Sequence, residues 1–256
     1  MFNKINLSVF GIVVAVGIIL RSFMLSFTVE TTSGFIKSEY MPWAVFIIAL
    51  LTISAAFVFF IAFFGKQKNT LPFKTTTLIY SIAEIIMAVA MLNEAFFSSL
   101  LKYAQPTQII LHKLAAVLSA AGLLYIAGSK LFGKEYSKHA TILPITFFIT
   151  RIIVVFSEFA ALATVSDTVI ETICMCLALV TFLNFAKISC GINLKNVTLC
   201  KSVAMLCCFA CAVGSIPRII CLLMNTTSFE YFSNIPIFTT FAAAIFSFSV
   251  AFKCEE

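Results

Sequence analysis

Six ionisable side chains stand where the chain is otherwise apolar: Arg21, Arg151 and Arg218, together with Glu84, Glu94 and Glu158. The chain has only three arginines, and all three lie in such runs, while its fourteen lysines gather almost entirely in the polar connections between runs. The two cations are not interchangeable. A guanidinium stays charged and offers a planar fork of donors matched to a carboxylate or phosphate, whereas an ammonium is a compact, strongly hydrated point charge. The partition predicts arginines placed for geometry and lysines placed for topology. Charge inside a bilayer costs about 2.5 to 3.5 kcal/mol per group on insertion scales, so each buried charge needs a partner or water. Two chemistries fit the set. In one, Arg21, Arg151 and Arg218 line an outward-facing pocket for a small anionic or zwitterionic ligand, and Glu84, Glu94 and Glu158 supply counter-charge or carry a coupling proton. In the other, the same residues neutralise one another as interhelical bridges that hold the bundle in register. Asn93 adds an amide beside Glu94. His112, next to Lys113, is a candidate for proton transfer near neutral pH, or one half of an interfacial pair at a helix entrance.

The charges recur at similar places. VAVGIILR ends at Arg21, MAVAMLNE at Glu94, PITFFITR at Arg151 and CAVGSIPR at Arg218. From each charge the chain runs on to a lysine, at Lys66, Lys130, Lys187 and Lys253, over 45, 36, 36 and 35 residues. The spacing suggests four helical hairpins related by internal repetition, all in one orientation. Any eight-helix protein also has hairpins of about this length. Glu158 follows Arg151 by seven residues, which puts the two on one helix face. Pro217, one residue before Arg218, removes a backbone hydrogen bond and frees a carbonyl one turn back.

The elements that must carry these residues are membrane helices. Of 256 residues, 61% are hydrophobic and 11% charged, and the mean hydropathy is +1.08. Soluble domains carry about 25% charged residues, so this chain cannot cover a water-facing surface. Charge-free runs rich in phenylalanine point to helices, because barrel strands would alternate apolar and polar. Apolar runs of about 20 residues fall at 5–28, 42–65, 76–101, 107–129, 141–164, 169–189, 202–224 and 234–252. The expected architecture is an all-α, polytopic transmembrane bundle of about eight helices, forming one domain over 1–256. Eleven lysines fall on the side of the N-terminus and two on the other, which predicts both termini in the cytoplasm of a cell-membrane protein. With that orientation, Arg21, Glu94, Glu158 and Arg218 lie in the outer third of their helices, His112 and Glu171 near the outer starts of theirs, and Arg151 and Glu84 nearer the middle.

Other chemistries find little support. All nine cysteines fall after residue 173, and Cys208 and Cys211 form a C-x-x-C on a membrane helix without histidine or carboxylate at ligand spacing, so they read as small apolar fillers. The chain contains no H-E-x-x-H, no G-x-S-x-G and no glycine-rich phosphate loop, and its single aspartate, Asp167, excludes a two-aspartate protease. No enzymatic activity, metal or cofactor is expected. The net charge of +6 reflects lysines at membrane edges and implies no nucleic acid. The expected partners are the lipid bilayer, a small anionic or zwitterionic ligand, and a cytoplasmic partner or anionic lipid at the lysine-rich inner loops.

The run LRSFMLSFTVETTSGF, Leu20 to Phe35, resembles a pattern in uncharacterised bacterial eight-helix integral membrane proteins, in which an arginine-bearing helix leads into an acidic E-T-G-F-like loop. Here that loop reads ETTSGF. The resemblance implies the eight-helix architecture and carries no activity. Two functional classes therefore stay open: a small-solute transporter or substrate-binding membrane component, and a membrane sensor or scaffold. A dry, fully paired Arg–Glu set would favour the second, and an arginine lacking an acidic partner within about 4 Å would favour the first.

Overall fold

In lipid every backbone N–H and C=O must find its partner within the protein, and a continuous apolar run satisfies this by forming a helix. The computed structural model describes residues 4–30, 35–64, 78–97, 105–159, 166–190, 197–224 and 237–253; the side chains of 4–7, 157–159, 166–168, 188, 197 and 252–253 lie outside that description. Among the described residues there are eight α-helices: α1 (Lys4–Phe23), α2 (Met41–Phe64), α3 (Leu78–Phe97), α4 (Pro106–Leu131), α5 (Leu143–Phe159), α6 (Ser166–Ser189), α7 (Val197–Leu223) and α8 (Ile237–Lys253). Seven helical segments are long and apolar enough to cross a membrane, and the eighth, Ile237–Ala251, is apolar and shorter. The chain is thus an all-α, multi-pass membrane protein.

Local chemistry sets the helix ends. Gln105 and Gln108 cap α4 reciprocally, with Pro106 at the first helical position. Gly133 ends that helix with φ of 65°, and its N–H donates to the Lys130 carbonyl at 3.1 Å. After Arg21, α1 widens into a π-helical turn over Met24–Thr28. Several hydroxyls inside the helices donate back along their own chain, as Thr181 does to Leu177 O at 2.8 Å and Ser215 to Cys211 O at 2.6 Å, which satisfies those polar atoms within the helix. The α7 helix continues through Pro217. All eight cysteines among the described residues are free thiols, and Cys208 and Cys211 lie buried on α7.

Six helices close a ring. Contacts run from α3 to α4, α5, α6, α7 and α8, and α8 returns to α3 while also touching α6. The first two helices pack on each other and on α7, outside that ring. Close approach explains two of these seams. A Cβ at Gly17 would stand 2.9 Å from Val213 Cγ2 of α7, and one at Gly122 would stand 2.9 Å from Leu143 Cδ1 and 3.2 Å from the Ala140 carbonyl. Outward faces carry lipid-suited side chains such as Ile53, Phe57, Phe60 and Phe64 on α2.

The interior is layered along the bundle axis. Each α-helix tilts its inward residues every three or four positions onto one stripe. On α3 that stripe is Tyr80, Glu84, Met87, Met91 and Glu94; on α5 it is Phe147, Phe148, Arg151, Val154 and Val155. Between the two polar ends, Phe147, Phe148, Phe182 and Phe246 touch ring to ring, with Phe182 and Phe246 stacked at 4.2 Å. Aromatic and small apolar residues thus fill the middle.

Candidate functional site: a buried charge network

Where α3, α5 and α7 end and α4, α6 and α8 begin, at least one polar group from every helix of the ring enters a single connected network. The α5 guanidinium, Arg151, lies at its centre. Its Nη1 donates to Glu94 Oε2 on α3 at 2.7 Å, and its Nη2 to Glu171 Oε1 on α6 at 2.6 Å. The other oxygen of Glu171 accepts from Arg218 Nη1 on α7 at 3.1 Å. From α8, the Thr239 hydroxyl donates to Glu94 Oε2 and the Thr240 hydroxyl to Glu171 Oε1 at 2.8 Å. On α4, His112 faces Glu94 Oε1 through Nε2 at 3.4 Å and Thr150 Oγ1 through Nδ1 at 3.2 Å. Glu94, His112, Arg151, Glu171 and Arg218 are all buried, none more than 3% exposed.

The electrostatics follow from that list. Glu171 bridges two arginines and Arg151 bridges two glutamates, so the charges alternate in sign along the chain Glu94, Arg151, Glu171, Arg218. In a dry interior each isolated ion would be penalised by several kcal/mol, and alternation with charge-assisted hydrogen bonds offsets that cost. These side chains form a buried cluster in which opposite charges meet in turn.

A second polar station sits at the opposite end, where the lysines lie. Lys130, in the last turn of α4, donates to Glu84 Oε1 at 2.6 Å. Its ammonium also stands 4.0 Å from the centroid of the Tyr80 ring and 5.2 and 5.6 Å from those of Tyr136 and Phe185. Glu84 therefore meets a lysine, not an arginine. This corrects the expectation that lysines serve almost only at membrane edges: Lys130 and Lys201 turn inward and are buried, while Lys134, Lys138 and Lys187 remain exposed.

Of the residues singled out from sequence, the structure brings together Glu94, His112, Arg151 and Arg218. Arg21 lies on α1, outside the ring, with Nη1 donating to Met24 Sδ at 3.0 Å. Asn93 is exposed, because it precedes Glu94 by one position and one position turns a helical side chain about 100° away. Glu158 lies on α5, and its side chain is outside the described residues. Four network members, Thr150, Glu171, Thr239 and Thr240, were not singled out as site residues. Glu171 was readable as a charge near a helix start, and its heptad-like continuation into Cys174, Met175, Ala178 and Phe182, all buried, was the available signal. Thr239 and Thr240 carried none, since hydroxyls at a helix start look ordinary. Comparison with protein families, with curated proteins and with solved structures finds no match.

Proposed function

We propose that this multi-pass membrane protein is a membrane sensor or scaffold, and that the buried Arg–Glu chain is the interhelical lock holding its six-helix ring closed. The observation that carries this reading is that Arg151 and Arg218 both already meet carboxylates, with Glu171 holding the two together at 2.6 and 3.1 Å. That is the paired arrangement expected of bridges. The exposed Lys134, Lys138 and Lys187 offer a basic surface for a cytoplasmic partner or anionic lipid. No catalytic step is assigned to any residue.

A small-solute carrier is the second reading, and one observation favours it. Each helix of the ring contributes to the same polar layer, which is more convergence than register alone requires. In that reading a ligand carboxylate takes the place of Glu171 between the two arginines. Thermal unfolding of the purified protein, with acetate, phosphate and zwitterionic amino acids titrated in, separates the two. The lock reading expects no saturable stabilisation by any of them. A saturable rise that disappears in Arg218→Gln would replace it with the carrier.

A further inference from the structure

The contact between His112 and Glu94 carries more than a bridge. His112 Nε2 and Glu94 Oε1 face each other at 3.4 Å, and neither atom has a hydrogen-bond partner among the described residues. The other ring nitrogen, Nδ1, stands 3.2 Å from Thr150 Oγ1. A threonine hydroxyl has one proton to give, and Thr150 gives it to the Phe147 carbonyl at the shorter distance of 2.9 Å. Toward His112 the hydroxyl is therefore the acceptor, and Nδ1 bears a hydrogen. A neutral imidazole has only that one N–H. Its Nε2 would then present a lone pair to a carboxylate oxygen, with both side chains at 0% exposure. Two buried acceptors facing each other leave both groups unsatisfied. One proton between them satisfies both. Glu94 is held as the carboxylate by two donors on its other oxygen, Arg151 Nη1 and the Thr239 hydroxyl.

We infer that His112 and Glu94 form a proton-binding site, in which His112 is an imidazolium donating Nε2–H to Glu94 and Nδ1–H to Thr150. The charged and titratable groups around it are Glu94 from α3 and, through that carboxylate, Arg151 from α5; Lys113 on its own helix is exposed. Three cations, His112, Arg151 and Arg218, then stand with two carboxylates, Glu94 and Glu171, in the one connected network. Removing the proton restores two facing lone pairs at the α3–α4 seam, so the site couples proton release to loosening of that seam. The inference rests on the hydrogen-bond geometry and holds whichever function the network serves.

The test is nitrogen NMR of the detergent-solubilised full chain labelled at histidine. The chain has only two histidines, His112 and His139, so His139→Gln assigns the signals. In the wild-type protein at mildly alkaline pH, His112 is expected to show N–H on both ring nitrogens. In Glu94→Gln it is expected to lose one of them. A neutral His112 in the wild-type protein, bearing its hydrogen on Nε2 alone, overturns the inference, and so does an imidazolium that persists in Glu94→Gln. The wild-type spectrum decides the matter even where the variant does not fold.

Discussion

Replacing Arg218 and Glu171 singly and together tests whether the network is a lock. Arg218→Met leaves Glu171 with one arginine where it had two, Arg151 at 2.6 Å. Glu171→Gln takes the carboxylate from both Arg151 and Arg218 and puts a neutral amide beside them. Removing one partner of a buried ion pair costs about 3 to 5 kcal/mol, because the other charge is left uncompensated in a dry site. Arg218→Met should fall at the lower end, about 3 kcal/mol, since Glu171 keeps its shorter bond. At about 2 to 4 °C per kcal/mol for a chain of this size, that is a fall in Tm of about 6 to 12 °C. The double variant is different. It removes one cation and one anion together and leaves the Arg151–Glu94 pair at 2.7 Å intact, and neutral replacement of a whole buried pair is often without cost. The double variant should therefore recover most of the loss, with a coupling energy of about 1 to 3 kcal/mol. Thermal unfolding of the four proteins in one detergent, read by intrinsic fluorescence, gives the cycle. If the double loses as much as the two singles added, the residues do not act on each other, and the lock reasoning is wrong.

Three further outcomes are expected. Lys130→Met should destabilise by a similar few kcal/mol by taking a buried ammonium away from Glu84, and its effect should add to that of Arg218→Met within about 0.5 kcal/mol, since Glu84 and Glu94 are ten residues or about 15 Å apart along α3; strong coupling in paired melts would contradict two separate stations. Gly122→Val should cost about 1 to 3 kcal/mol by overpacking, because the Ala140 carbonyl at 3.2 Å from the new Cβ is backbone; an unchanged Tm would mean the α4–α5 seam yields freely. Burial, aided by the nearby Glu84 carboxylate, holds the Tyr136 phenol above its ordinary value of 10.0, so the native state keeps its proton longer than the unfolded chain does. Its stabilisation is present below pH 10 and is lost as pH rises from 10 through the folded value, so above pH 10 the Tm of wild type should fall more steeply than that of Tyr136→Phe, and parallel curves would refute this.

The architecture was legible because lipid leaves the backbone so little choice. Runs read at 42–65 and 107–129 became Met41–Phe64 and Pro106–Leu131, with one or two residues of difference. The depth of the charges was legible in part, since counting along a helix gives height directly: Glu94, His112 and Arg218 do meet at one level, but Arg151, expected nearer the middle, joins them there. What the sequence withheld was rotation. The seven-residue spacing pointed from Arg151 to Glu158, whose side chain lies outside the described residues, and Arg151 finds partners 57 residues back on α3 and 20 residues on along α6. Such choices depend on how each helix turns about its own axis, which packing at Gly17 and Gly122 helps to set and no local pattern records. Arg21 looked like the first of a repeating series but sits on a helix outside the ring, so the same apolar stretch ending in a charge serves a different place.

The closing contact of the ring has a consequence in time. Thr239 reaches Glu94 across 145 residues of chain, and Thr240 reaches Glu171 across 69. At about 5 to 20 residues per second of synthesis, Glu94 waits roughly 7 to 30 s between its own emergence and that of the hydroxyl that completes its shell. For that interval a carboxylate destined for a dry interior sits in a half-built bundle, with α8 not yet present to seal it. Whatever attends the growing chain, water, lipid headgroup or insertion machinery, must tolerate an open charged seam between α3 and α7. Closure of this ring therefore waits on α8.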